Sequence, residues 1–291
     1  MYLWLLALIL AFLPGVGLLW YIRRIDKYEP EPWSTMGLAF LAGCISVIPA
    51  FLIEALLHAK TGGFVGTLYE AFIVAALTEE VCKGGLGLAF MWRRSEFDEV
   101  MDGIVYFGLA HMGFAITENL GYIFLRSDGN VVQALMTGFM RTTTAVPLHV
   151  VSGMIMGYHI GAARFAKNFK TKAKNWFLAF SLPVLLHGIY DLAAFNENFK
   201  VTNTTDLLRA GFGTALFYAA VVALWLVLMP RVQAAQDASP FKPHERVPLP
   251  VAPVSCPNCG SDYPDGANYC HMCATPVAQS QVYAHQAPTS Q

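Results

Sequence analysis

Apolar residues run through this chain in blocks about 20 residues long, the length a helix needs to cross about 30 Å of hydrocarbon. The pattern predicts membrane-spanning helices at 3–22, 36–57, 68–92, 103–125, 135–163, 176–195 and 207–229. The fifth block is long enough to tilt, to kink at Pro147 or to begin as an interfacial segment. The first has no basic residues ahead of it and no small-residue cleavage site before Arg23 and Arg24, so it is expected to remain as a span rather than be removed as a signal peptide. The predicted fold is an all-α polytopic membrane protein with about seven transmembrane helices.

Composition agrees. Hydrophobic residues make up 55% of the chain and charged residues 13%, with mean hydropathy +0.46, well below the roughly 25% charge of a soluble domain. A net charge of −1 leaves no electrostatic footprint for nucleic acid. The joints after the first, third and fifth blocks carry Arg23, Arg24, Lys27, then Arg93, Arg94, then Arg164, Lys167, Lys170, Lys172 and Lys174, ten basic residues against four in the alternate joints (Lys60, Arg126, Lys200, Arg209). The positive-inside rule then predicts a multi-pass protein of the cytoplasmic membrane, N-terminus outside and C-terminus in the cytosol.

The pattern changes after residue 230. Residues 1–230 are expected to form the helical domain and 231–255 a semi-rigid linker, with prolines at 240, 243, 248, 250 and 253. Residues 276–291 read as a polar disordered tail. Between them, at 256–275, Cys256-x-x-Cys259 and Cys270-x-x-Cys273 are separated by ten residues. Two such knuckles supply four thiolates about 2.3 Å from one ion, which predicts a structural Zn²⁺ ribbon. Two disulfides are disfavoured in a reducing cytosol. His271 could replace a cysteine, although four thiolates already fill the shell, and Gly260, Asp262, Pro264, Asp265 and Gly266 read as turn formers. A closed site has no open position for chemistry, so the ribbon is expected to dock a cytosolic partner. Cys44 and Cys82, inside spans, read as packing.

The remaining polar groups lie inside the spans. Glu79, Glu80 and Lys83 share the third block, where a charge costs about 2.5–3.5 kcal/mol on insertion scales. Adjacent residues differ by about 100° around a helix, so one acid is expected to face a cavity while the other orients a partner or is held by Lys83. The fourth block holds Phe114-x-x-x-Glu118-Asn119, the fifth His149 followed by the small residues Ser152, Gly153 and Gly157, and the sixth His187 with Asp191 one turn on. At about 1.5 Å per residue, Glu79, His149 and His187 come out about 16–20 Å inside their spans, near mid-membrane, with Glu118 nearer the outer face. Glu79, Glu80, Glu118, His149, His187 and Asp191 form the candidate catalytic set, supported by Lys83, Phe114 and Asn119. Isolated groups read as structure: His111 and His159 as hydrogen-bonded core, Glu54 with His58 as an interfacial pair, Glu70 as peripheral, and Arg141 as snorkelling to the membrane edge.

Desolvated carboxylates and neutral histidines suit water-mediated hydrolysis of a peptide bond. They also suit a proton relay in a coupled transporter, and a scaffold without catalysis is a third reading. There is no nucleophile elbow, phosphate loop or His-Glu-x-x-His motif. Glu79-Glu80-x-x-Lys83, Phe114-x-x-x-Glu118-Asn119, His149 and His187-x-x-x-Asp191 together resemble the PrsW family of intramembrane proteases over residues 1–230, and are similar to the wider group of CAAX endopeptidases and bacteriocin-processing membrane proteases. The resemblance implies cleavage of a membrane-anchored protein, typically a single-span anti-sigma factor, on or near its extracytoplasmic side. It also implies that Glu79 or Glu80 is the base and that His187 with Asp191 lies on the oxyanion side. Glu118 stands where the CAAX-type enzymes carry a histidine, and Asp191 where an amide is common; a charged Asp191 cannot donate to an oxyanion and would instead orient His187. Whether a catalytic metal joins Glu80, Glu118, His149 and His187 is left open by the sequence.

Overall fold

A computed structural model describes residues 2–58, 63–195, 204–243, 254–263, 269–270 and 272–276, with the backbone alone at 195, 204–217, 220, 254 and 262–263. Residues 244–253 of the predicted linker, the turn formers Pro264, Asp265 and Gly266, His271 and the tail at 277–291 lie outside the described residues. The chain divides into two compact units, Met1–Lys242 and Pro243–Gln291.

The first unit is helical: α1 (Tyr2–Ile25), α2 (Trp33–Leu57), α3 (Gly63–Tyr69), a π-helical segment (Glu70–Leu77), α4 (Thr78–Met91), α5 (Val100–Phe124), α6 (Val131–Thr143), α7 (Ala145–Arg164), α8 (Phe169–Phe195) and α9 (Thr204–Ala238). Among the described residues, α1, α2, α5 and α8 are long and apolar enough to cross a membrane on these grounds alone. The protein is therefore a helical membrane protein, with four spans identified by length and hydropathy.

α5 is the hub. Of its most apolar stretch 89% is buried, against 22% for α1, as expected of a helix that is apolar all round. α1 and α2 instead expose Leu5, Leu13, Ile48 and Phe51, the outward faces of a bundle in lipid. α7 packs along α5 at backbone contact. A Cβ on Gly157 would overlap the Gly103 carbonyl, and one on Gly153 would overlap the His111 ring and the Phe107 carbonyl. Small residues allow this approach where no hydrophobic effect drives helices together.

Two features shape the site. The predicted fifth span is not one helix: it breaks at Thr144 (φ −121°, ψ −64°) into α6 and α7. Pro147 explains the break, since its ring excludes the carbonyl of Thr143 and it has no N–H to give. Thr144 holds the joint, its hydroxyl bonding to the Met140 carbonyl at 2.8 Å and to the Tyr190 hydroxyl at 2.9 Å. The predicted third span is helical throughout, but Glu70–Leu77 is wound as a π-helix just before Thr78, a form that occurs mostly at functional sites.

In the second unit, Val254–Ser255 pairs antiparallel with Asp262–Tyr263. Two tight turns close at Cys256 and Cys270, where Gly260 N–H bonds to the Cys256 carbonyl and Ala274 N–H to the Cys270 carbonyl, each at 2.8 Å.

Replacing Gly157 with valine should force α5 and α7 apart and cost about 1–3 kcal/mol or more, as overpacking does. Thermal unfolding in detergent should show a lowered midpoint, whereas the open position Gly85 should tolerate alanine.

Candidate active site

α4, α5, α7 and α8 bring the predicted polar residues into one buried cluster, and its centre is Lys83. The ammonium is fully buried and lies 2.7 Å from Glu80 Oε1, 3.3 Å from Glu79 Oε2 and 3.0 Å from His149 Nδ1. The Phe114 ring lies 4.5 Å from the same nitrogen, adding a cation–π contact. An ammonium carries three donors and no acceptor, so His149 Nδ1 is the acceptor. The two adjacent glutamates, expected to face apart, both reach Lys83 and His187.

Their environments nevertheless differ. Glu80 is sealed: Oε1 receives Lys83 and the Nδ1–H of His187 at 2.9 Å, and Oε2 faces His111 Nε2 at 2.9 Å. His111 Nδ1 lies 2.8 Å from the Phe107 carbonyl, which can only accept. The Nδ1 proton is spent there, so a second proton sits between His111 Nε2 and Glu80. Glu79 is held more loosely, with Oε2 3.3 Å from Lys83 and 3.7 Å from His187 Nε2.

His187 bridges the two acids. Its Nδ1–H is committed to Glu80, and its Nε2 faces two further carboxylate oxygens, Glu79 Oε2 at 3.7 Å and Asp191 Oδ2 at 3.2 Å. Asp191 lies one turn along α8 as expected, but its Oδ2 is buried without a hydrogen-bond partner. Glu79, His149 and His187 each offer one ligand atom, all within 4.8 Å of one another. Carboxylate and imidazole are ligands that a borderline metal ion takes; in this structure the Lys83 ammonium donates to two of the three, Glu79 and His149.

Glu118 closes the cluster. It pairs with Arg141 and lies 3.4 Å from His149 Nε2. Arg141 does not snorkel: the break at Thr144 ends α6 so that its guanidinium turns inward onto Glu118, over the Tyr122 ring. Asn119 is buried beside Glu118 on α5, but its amide makes no hydrogen bond to the cluster. Glu54 and His58 do not pair; His58 Nδ1 bonds to Glu70 at 3.1 Å. Glu54 instead lies within electrostatic reach of Glu79, Glu118, Lys83 and His187. His159 is structural, between Asn175 at 2.8 Å and Arg231 at 3.3 Å. Sequence reasoning thus missed His111, Arg141 and Glu54. The sole signal for Arg141 was Pro147, which marks where a helix must break.

A model of the PrsW family of intramembrane metalloproteases matches residues 31–228. The chain belongs to the PrsW family. It is 34% identical over 225 residues to Protease PrsW of Geobacillus kaustophilus (strain HTA426), covering 77% of this chain and 89% of that protein. Protease PrsW of Clostridioides difficile (strain 630) is 34% identical over 63% of this chain and 76% of its own length, and that of Bacillus subtilis (strain 168) 33% over 61% and 78%. No solved structure matches. The chain is accordingly an intramembrane protease, and the buried cluster lies inside the matched region.

The four tail cysteines lie beyond that region. They are unbridged and close together, with Cys256 and Cys273 sulfurs 3.6 Å apart and Cys259 and Cys270 sulfurs 3.7 Å apart, and the four could hold a metal ion. The Thr275 hydroxyl and backbone hold the Cys273 thiol down to about 5, so it is a thiolate, the ligand form, at neutral pH.

Lys83→Met should leave two buried carboxylates without their cation. Losing one partner of a buried pair costs about 3–5 kcal/mol, readable as a lowered unfolding midpoint. Arg141→Met should do the same through Glu118, independently of Lys83.

Proposed function

We propose that Glu79 is the general base that activates water for peptide hydrolysis, and that Glu80 is a positioning group. The enclosure of Glu80 carries this reading: three donors bind its two oxygens and its side chain is fully buried, so it is poorly placed to meet a substrate. Glu79 has the looser contacts and sits beside His187 Nε2. In the proposed reaction Glu79 Oε2 accepts a proton from water and carries it toward the leaving amine, a service worth about 10²–10⁴ in rate. Lys83 and the Arg141–Glu118 pair fix the field in which that proton moves. The metal implied by the family name would be held by Glu79, His149 and His187, with Asp191 beside His187; when bound it supplies Lewis-acid polarisation and an acidified water.

The proposed substrate is a single-span protein of the same bilayer, anti-sigma-factor-like, entering from lipid. The exposed apolar flanks of α2 around Leu52, Ile53 and Leu56 support lateral access beside Glu54. The proposed topology follows the loop charges: seven spans in the cytoplasmic membrane, N-terminus outside, with the tail in the cytosol. There the four cysteines would form a structural zinc ribbon that docks a cytosolic partner, since a four-thiolate shell leaves no open position.

Co-expression with single-span substrates tests the mechanism. Glu79→Gln should lower cleavage by about 10²–10⁴ while leaving the fold intact, and Glu79→Gln retaining full activity would overturn the assignment. Zinc analysis separates the two sites: the intact chain should carry two ions, one remaining when Cys256, Cys259, Cys270 and Cys273 are all changed to serine. That variant should still cleave substrate.

A further inference from the structure

α4 has a second face, turned away from the protease cluster. Gly85 follows Lys83 by two residues, about 200° around the helix. With Ala89 and Trp92 at i+4 and i+7 it forms one outward stripe, and Gly85 and Ala89 are exposed. A Cβ on Gly85 would meet nothing within 4 Å, whereas one on the adjacent Gly84 would strike Phe180 of α8 and Met156 of α7. α8 faces the same space from its first turns, where Lys172 and Trp176 share a side at i, i+4. Between the two helices lies an open groove of about 640 Å³, whose lining includes Gly85, Ala89, Trp92, Arg93, Lys172 and Trp176. That volume lies in the range of small-molecule sites.

The chemistry of the groove is graded along its length. Arg93 lies about 12 Å beyond Gly85 at 1.5 Å per residue. At that end Arg93 and Lys172 are exposed, neither has an ion-pair partner among the described residues, and no acidic residue lines the groove. Next to them the rings of Trp92 and Trp176 lie 5.6 Å apart at 45°, and tryptophan favours the boundary between headgroups and hydrocarbon. The other end is apolar and continues along the same face of α4 to Val81, which is 48% exposed. The lysines suit the helix that carries them poorly. Lys170, Lys172 and Lys174 lie in the first two turns of α8, where the free N–H groups already give a partial positive charge. An ordinary aromatic belt accounts for a tryptophan beside a basic residue, but it has no need of a groove opened by Gly85 and Ala89 between two tryptophans.

We propose that this groove binds one anionic phospholipid. Its phosphate is held between Arg93 and Lys172, its glycerol backbone lies against Trp92 and Trp176, and an acyl chain runs along Ala89, Gly85 and Val81. Basic pockets between membrane helices take such headgroups, and the apolar length of the groove gives a bare anion nothing to bind. The lipid bridges α4, which carries Glu79, Glu80 and Lys83, to α8, which carries His187, and so fastens two helices of the protease site together from outside it.

The test is thermal unfolding of the purified full chain in non-ionic detergent, titrated in parallel with phosphatidylglycerol, phosphatidylcholine and inorganic phosphate. Phosphatidylglycerol should raise the midpoint by about 5 °C at saturation, and the other two should not. Arg93→Gln with Lys172→Gln should abolish the rise. Arg94→Gln with Lys174→Gln, which removes the same charge from residues that do not line the groove, should keep it. Gly85→Leu, which fills the groove where a side chain has room, should abolish the rise without removing a charge. In the unmutated chain, phosphatidylglycerol brominated on its acyl chains should quench tryptophan fluorescence more than the matching phosphatidylcholine, a readout that does not depend on variants folding. No rise and no excess quenching would overturn the site. An equal rise with phosphatidylcholine would overturn it in favour of bulk lipid solvation, and an equal rise with phosphate alone in favour of a free-anion site. A rise undiminished in the Arg93→Gln, Lys172→Gln variant would overturn it in favour of diffuse surface charge.

Discussion

The protease end of this fold depends on one buried ammonium. Two neighbouring carboxylates in a membrane helix are not tolerable as bare charges, and Lys83, one turn further along the same helix, touches both. Because Lys83 is also hydrogen-bonded to His149 and covered by Phe114, it ties α4 to α7 and α5 through electrostatics as well as packing. A buried pair of this kind is a weak source of net stability but expensive to break from one side. Its effect is to fix geometry: no partner helix can shift without stranding a charge.

That constraint explains the local backbone. α4 must present Glu79, Glu80 and Lys83 to one interior, and the π-helical turns before Thr78 lead into it while Phe72 lies over Gly188 of α8. α4 and α5 must come close enough for His111 to reach Glu80, and Gly153 of α7 leaves the room for its ring. The break at Thr144 lets Arg141 turn back to Glu118 while His149 continues inward on α7. Each irregularity is a place where a straight, uniformly apolar helix would have left one of the charges unpaired.

Much of this was legible from the chain because hydropathy over about 20 residues is a strong, local signal, and an acid at mid-span is costly enough to be noticed singly. Glu79, Glu80, Lys83, Glu118, His149, His187 and Asp191 were found in that way, and the structure joins them. What escaped detection is non-local. Arg141 reads as a snorkelling end-of-span residue until Glu118, 23 positions earlier, is seen against it. His111 reads as a lone histidine because Glu80 is 31 positions away. The split of the fifth block was half legible, since Pro147 marks a break but not the direction the chain takes after it.

The adjacency of Glu79 and Glu80 acquires a physical meaning from the asymmetry of their contacts. About 100° of rotation between neighbours does not point them to opposite sides here, because long side chains let both reach Lys83. It does give them different neighbours: α5 supplies His111 to Glu80, while Glu79 faces His187 Nε2, which also faces Asp191. One carboxylate is thereby held by three close donors and the other, by Lys83 alone at 3.3 Å, more loosely. A carboxylate gripped by three donors stays ionised and still, whereas one held by a single longer contact is freer to take up a proton or share a metal. The same residue type, at neighbouring positions, is held tightly in one case and loosely in the other by which helix each of them meets.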